Sequence, residues 1–393
     1  MRRFLLMLLA AVALAFPVRA ETAREQVRAP VKVRTTFSSP AGGTVIIVDA
    51  SVAVPEVDAM YRIPVEPRVF GDEMAEKLAA LFWPELQGPP KTKDVREARY
   101  AYHEARLERW GTARDDRHVS VVASYYAMKG IDGPFSSSLC AELRLGNNKR
   151  LSGDVNYNAA HMDSLIDGEG IEGHPLTRAD AEGIALTFLR RLTDEPFEVF
   201  FVGQAPGIIY DDQLMLDGLE SKDTGSSYVV SLTRQVEGAP VLSMGMCMDL
   251  WDRSDLLYAP AGYEEAVVAM DLEGRVTHFR WSAPYLIGET RQPQTLLPFE
   301  DILAVAERTL PLMHTWEETV RSDDYGPHRI THIALGYMAV LEQSTMRYAL
   351  TPVWCFYDTQ AYRCTGGFWR ESFVPDLAVS AVDGRVIDIR LGY

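Results

Sequence analysis

The sequence has 393 residues, of which 47% are hydrophobic, and it carries a formal net charge of −16 at pH 7. A strongly acidic surface repels phosphate backbones and anionic lipid headgroups, so this composition disfavours nucleic-acid binding. The apolar content is ample for packed cores and excludes a disordered chain, and the length fits two to three domains.

Residues 1–20 have the pattern of a secretory signal peptide. Two arginines follow Met1, an apolar stretch runs from Phe4 to Phe16, and Val18-Arg19-Ala20 offers small residues for cleavage. The apolar stretch is shorter than the roughly 20 residues that a membrane-spanning helix needs. The sequence therefore predicts export to the cell envelope or beyond it, cleavage before Glu21 and no stable membrane insertion, with an uncleaved anchor as the alternative.

Residues 21–170 are predicted to form an N-terminal α+β domain of unknown type. Alternating apolar residues predict strands, among them Val31 to Thr36 and His118 to Ala127. Asp72 to Phe82 carries an apolar stripe on one face and is predicted to be an amphipathic helix. A second, highly charged helix is expected from Thr92, a candidate N-cap, through Trp110.

A near repeat organises the remaining two-thirds of the chain. Glu273-Gly274-Arg275-Val276 recurs 110 positions later as Asp383-Gly384-Arg385-Val386, and each copy lies between alternating apolar runs. An acid–Gly pair in this setting favours a tight hairpin, because glycine accepts positive φ without a Cβ clash. Two hairpins are therefore expected at these turns.

Further landmarks recur in the same order. They are Tyr228 and Tyr337, Pro240-Val241 and Pro352-Val353, and helix starts near Thr177 and Pro298. A repeat of this length indicates a duplicated domain rather than a solenoid. The predicted fold class is α+β, with the N-terminal domain followed by two tandem small units, residues 171–290 and 291–393. Each unit is expected to contain a helix, three strands, a turn and a fourth strand in an antiparallel sheet.

The second copy contains three motifs in order: Leu335-Gly336-Tyr337, then Leu350-Thr351-Pro352-Val353-Trp354, then Ala381-Val382-Asp383-Gly384 at a strand end. In this order it resembles the C-terminal halves of YycH/YycI-type proteins, which are extracytoplasmic accessory regulators of bacterial envelope signalling. It is also similar to the broader PepSY-like small α+β domains. The resemblance covers roughly residues 171–393, and it implies a regulatory protein of the envelope without catalytic residues.

Asp223-Thr224-Gly225 is the sharpest catalytic signal, because it matches the active-site turn of aspartic peptidases. That chemistry needs two carboxylates that share one proton. The sequence has no second Asp-Thr/Ser-Gly, although a homodimer would supply one. The motif is expected in a polar loop, Asp211 to Ser227, rather than after a buried strand. A secreted hydrolase that uses Asp223 is therefore the alternative, and a non-catalytic binding protein is favoured.

No metal site and no cofactor is predicted. His328 and His332 fall on one face of a predicted strand, but about 13 Å apart by strand rise, which is too far to share one metal ion. They are interpreted as structural or surface histidines.

The predicted partner surface consists of exposed aromatic residues near Trp354 and Trp369, because large apolar patches are rarely left bare. The acidic composition favours a basic or neutral partner, and an envelope protein or peptide fits this description. Cys355 and Cys364 flank a short polar loop, and export permits a disulfide between them. The four cysteines allow three full pairings, so other pairings stay open.

Overall fold

The computed structural model describes residues 21–39, 45–82, 91–98, 102–112, 118–128, 136–144, 163–164, 170–209, 222–242, 263–314, 328–342, 344–345, 347–358, 362–363, 369–370 and 375–389. The predicted signal segment, residues 1–20, lies outside them. Within these residues, no helix is both long enough and apolar enough to cross a membrane.

The described residues form four helices: α1 (Ala23–Val27), α2 (Asp72–Phe82), α3 (Arg178–Leu192) and α4 (Phe299–Met313). Helix α3 begins after Thr177, as predicted. The Thr177 hydroxyl accepts the N–H of Asp180, and the Asp180 carboxylate accepts the N–H of Thr177. This reciprocal pair satisfies two N–H groups that the first turn of a helix leaves without partners.

The strands of the described residues are, in chain order, β1 (Lys32–Ser38), β2 (Val45–Ala53), β3 (Tyr61–Pro67), β4 (Lys91–Ala98), β5 (Tyr102–Thr112), β6 (His118–Met128), β7 (Ser136–Arg144), β8 (Asp163–Ser164), β9 (Phe197–Ile209), β10 (Lys222–Val236), β11 (Ala239–Pro240), β12 (Glu265–Met270), β13 (Val276–Ser282), β14 (Tyr285–Ile287), β15 (Gln292–Pro293), β16 (His328–Glu342), β17 (Arg347–Tyr357), β18 (Tyr362–Arg363), β19 (Trp369–Arg370), β20 (Pro375–Ser380) and β21 (Val386–Ile387). With the helices, they confirm the coarse α+β class.

Two large sheets contain most of these strands. The first has the order β1-β2-β16-β17-β20-β21, and β3 joins it by pairing with β17, β14 and β15. The second has the order β4-β5-β6-β7-β13-β12-β10-β9-β8, with β11 paired to β10. Each sheet therefore contains strands from both sides of the expected boundary at residue 170. Only the β2–β16 pair is parallel among the strand pairs of the described residues.

The two expected copies have the same strand order. In the first unit, α3 precedes an antiparallel set ordered β13-β12-β10-β9, and in the second unit α4 precedes one ordered β21-β20-β17-β16. The two hairpin turns lie where the sequence predicts them, because β12 pairs with β13 and β20 with β21. Gly274 and Gly384 have positive φ angles of 80° and 73°.

Three local predictions are wrong. The charged segment expected as a helix from Thr92 to Trp110 is instead the β4–β5 hairpin, with Lys91 opposite Trp110. The loop expected from Asp211 to Ser227 ends earlier, because β10 begins at Lys222. The recurring Tyr and Pro-Val landmarks do not mark equivalent positions. Tyr228 lies on β10, the second strand of its unit, and Tyr337 on β16, the first strand of its own. Pro240 ends β11, whereas Pro352 lies within β17.

Helices α3 and α4 each cover one sheet face with apolar side chains. Helix α3 buries Phe188, Leu189 and Leu192 against the strands of the first unit, in a core that also contains apolar residues of α2. The stripe of α4 buries Ile302, Ala306 and Leu310 against the second. Burying such side chains stabilises the fold by about 1.5–3 kcal/mol each.

Candidate functional site

A polar cleft lies along one edge of β17, where the strand that pairs with this edge changes from β3 to β20. On that side β3 pairs with Tyr348 to Leu350, and β20 pairs with Val353 to Tyr357. The cleft has a volume of about 390 Å³. We call it the notch; its lining includes Arg62, Glu342, Ser344, Thr351, Ser380 and Arg385.

One wall of the notch is held by a short chain of polar contacts. The Arg62 Nη2 atom lies 3.2 Å from Oε2 of Glu342, and the Thr345 hydroxyl donates to the same oxygen at 2.7 Å. The hydrogen bond from Thr345, followed by the charge of Arg62, lowers the pKa of Glu342. Glu342 is therefore ionised at neutral pH and holds Arg62 at the wall.

The opposite wall is the turn after β20. The Ser380 N–H donates to the carbonyl of Arg385 at 2.8 Å, and the Ser380 hydroxyl accepts the N–H groups of Val382 and Asp383. The Arg385 N–H donates to Oδ1 of Asp383 at 3.1 Å. Partial burial raises the pKa of Asp383, but its hydrogen bonds with Ser380 and Arg385, together with the charge of Arg385, outweigh this and lower the pKa. The turn is thus fixed by its own hydrogen bonds.

A buried ion cluster lies at the junction of the two sheets, away from the notch lining. Arg234 on β10 is 4% exposed in its side chain and contacts Glu195 and, at 2.6 Å, Oε2 of Glu264. Glu195 also pairs with Arg68, which follows β3. The Trp281 indole N–H donates to Oε1 of Glu264 at 3.0 Å. These contacts connect β3 of one sheet with β10 and β13 of the other.

A second buried polar cluster lies in the second unit. The rings of His314 and His328 are 4.1 Å apart, and Nε2 of His314 lies 3.9 Å from Oδ1 of Asp376. All three residues are at least 97% buried. The part of the chain that the structure describes contains no group of three or more His, Cys, Asp or Glu side chains placed to hold a metal ion.

The residues predicted for partner binding are not brought together at the surface. Trp354 is fully buried on β17, with its ring 4.9 Å from that of Phe299 on α4, so the expectation that it belongs to an exposed surface is wrong. The physical reason is that the apolar face of α4 needs a large partner in the sheet. Trp369 lies on β19, paired with Arg363, and its side chain is outside the described residues.

Asp223 and Cys355 lie within strands that the structure describes, whereas Cys364, the predicted partner of Cys355, does not. Asp223 lies on β10 opposite Ile208, with an irregularity in the pairing just after it. Cys355 is fully buried on β17, whereas Cys364 lies outside the described residues, so the disulfide stays a prediction. His332 lies on β16 with Nδ1 3.0 Å from the Ser51 hydroxyl, which agrees with a structural interpretation.

Sequence reasoning missed the notch because its residues are far apart in the chain, from Arg62 to Arg385. One signal was present in the repeat itself. Arg275 and Arg385 recur at the two turns, yet only the first turn has an acid four residues before its arginine, Asp271. At the second turn the equivalent position is Ala381, so Arg385 lacks this acidic neighbour and keeps only Asp383, two residues before it.

Comparison with known proteins identifies no relative. The chain matches no protein-family model, and no curated protein and no solved structure resembles it at a significant level.

Proposed function

We propose that this chain is a non-catalytic, exported binding protein that holds a protein or peptide segment of the bacterial envelope in the notch. The observation that supports it best is the notch itself, a cleft of about 390 Å³ with charged and hydrogen-bonding side chains from both walls. Arg62 and Arg385 balance Glu342 and Asp383, so the lining suits a polar ligand of low net charge. Peptide segments have this character.

The proposed role is binding rather than catalysis. Among the described residues that line the notch there is no histidine and no cysteine, and the His314–His328 pair is buried in the core instead. A general base works best with a pKa near the working pH, whereas the pKa of both carboxylates of the notch, Glu342 and Asp383, is lowered. Asp223, on which the hydrolase alternative depends, lies on β10, and its side chain is outside the described residues.

The proposed architecture is a tandem duplication of PepSY-like units, as in YycH/YycI-type regulators. Its support is the shared order of one helix and four antiparallel strands in both units. Further support comes from the two turn glycines, which lie against equivalent positions of their helices. Export is proposed from residues 1–20, and N-terminal sequencing of the mature protein should then find Glu21.

Site-specific photo-crosslinking in the source cells tests this function. A photoreactive residue replaces Ser344, which is exposed in the notch, and in a control it replaces Lys77, which is exposed on α2. We expect an adduct with one envelope protein or peptide at position 344, absent at position 77. The adduct should weaken when Arg62→Ala and Arg385→Ala are combined in a protein that stays folded. Equal labelling at both positions, or labelling that the double variant does not change, would contradict the proposal.

A further inference from the structure

The two repeated turns use their arginines differently. In the first turn, Oδ1 of Asp271 accepts the N–H groups of Glu273 and Arg275, and Oδ2 lies 3.6 Å from Nε of Arg275. Asp271 therefore holds both the backbone of the turn and the guanidinium of its arginine.

In the second turn the hydrogen-bonding role of Asp271 is divided between two residues. The Ser380 hydroxyl accepts the N–H groups of Val382 and Asp383 but carries no charge, and the Asp383 carboxylate accepts the N–H of Arg385. No carboxylate of the described residues forms a salt bridge with Arg385. The charge of Arg385 helps to lower the pKa of the nearby Asp383 from a longer distance. Arg385 is exposed and lines the notch.

The other charges of the notch have partners. Arg62 pairs with Glu342, and Glu342 also accepts the Thr345 hydroxyl. Of the two arginines that line the notch, Arg385 is therefore the one without a salt bridge to a carboxylate of the described residues. Guanidinium binds carboxylate through two parallel N–H···O hydrogen bonds, which gives geometric specificity as well as affinity.

We infer that the notch recognises a carboxylate of its peptide ligand at Arg385. This inference rests on the proposed function and names the chemistry of its ligand. A dianionic phosphate fits less well, because the carboxylates of Glu342 and Asp383 line the same cleft and repel the second charge. The chain's net charge of −16 repels acidic peptides at long range, so the C-terminal carboxylate of an otherwise neutral or basic peptide is favoured over an acidic side chain.

Three peptide pools test the inference on the full mature chain. Neutral and basic heptapeptides are immobilised through their N-termini. The first pool ends in a free carboxylate, the second in an amide, and the third in an amide with one internal Glu. The variants are Arg385→Gln and, as the matched control from the equivalent turn, Arg275→Gln. We expect the free-acid pool to bind, and amidation to weaken binding about tenfold or more. Arg385→Gln should weaken free-acid binding by a similar factor, whereas Arg275→Gln should leave it unchanged.

The outcomes separate this inference from the proposed function. Binding of the amidated Glu pool that Arg385→Gln abolishes would support the carboxylate but assign it to an acidic side chain. Equal binding of all three pools, unchanged in Arg385→Gln, would overturn the carboxylate inference and leave a peptide-binding protein. No binding of any pool would overturn both. Circular dichroism of each variant establishes that it is folded.

Discussion

Gly274 and Gly384 occupy equivalent positions in the hairpin turns of the two units. Both have left-handed φ angles, 80° and 73°, and each lies against its own helix. An added Cβ at Gly274 would meet Ile184, and one at Gly384 would meet Val305. Ile184 and Val305 each stand seven residues after the N-cap of their helix. The hairpin turn and the first half of the helix therefore form one packed element in both units.

The two glycines should not tolerate alanine equally. Both substitutions place a Cβ at positive φ, which costs about 1–2 kcal/mol. At Gly274 the Cβ would also lie 2.9 Å from Cδ1 of Ile184, whereas at Gly384 the nearest atom is 3.5 Å away, on Leu297. In urea denaturation we expect Gly274→Ala to lower the free energy of unfolding more than Gly384→Ala does. Gly183→Ala is the control.

Gly183 lies in α3 with nothing within 4 Å of an added Cβ. Alanine there should raise the free energy of unfolding by up to about 1 kcal/mol, because glycine is the poorer helix former. Equal losses at Gly274 and Gly384, or a loss at Gly183, would contradict the described turn packing.

Trp354→Ala should lower the stability of the fold. Its side chain is fully buried against Phe299 on α4, so truncation leaves a cavity and should cost about 3–5 kcal/mol. Val386→Ala is the matched control; Val386 is 36% exposed, and the change should stay within about 0.5 kcal/mol. Thermal unfolding of both variants measures the difference. A Trp354→Ala protein as stable as the Val386→Ala protein would contradict the buried position of Trp354.

Glu264 should make stability depend on pH. Burial raises the pKa of Glu264 to about 7, although Arg234 and the hydrogen bond from Trp281 act to lower it. The folded state therefore keeps a proton that the unfolded state releases near its ordinary pKa of 4.5. The stabilisation is fully present below pH 4.5 and is lost as the pH rises through about 7.

Glu264→Gln should remove this part of the pH dependence, since glutamine does not titrate and still accepts the Trp281 N–H. Chemical denaturation of both proteins between pH 5 and 8 provides the comparison. We expect the wild type to lose more stability than the variant over this range. Parallel pH profiles would show that Glu264 titrates at its ordinary value.

Local features of the fold were predictable because their causes are local. The acid–Gly turns follow from glycine's access to positive φ, and the start of α3 follows from the Thr177–Asp180 capping pair. The apolar stripe of α4 follows from side chains that recur every three to four residues.

The errors arose where distant pairing decides the structure. The segment from Thr92 to Trp110 has charged, helix-compatible residues, yet β5 pairs with β6 along its whole length, and this sheet context overrides intrinsic propensity. The parallel pairing of His328 with Ile46 joins segments that no periodicity connects. The notch has the same origin: Arg62 and Arg385 line one cleft because β3 and β20 both pair with the same edge of β17.

Hydrogen–deuterium exchange tests the central claim most directly, because it reports where a ligand binds. The full mature chain is compared alone and saturated with the free-acid peptide that binds most tightly in the pools. We expect slower exchange in residues 344–351 and 380–387, and unchanged exchange in the equivalent first turn, residues 271–276. Protection that is absent from the notch segments, or equal at both turns, would contradict this claim.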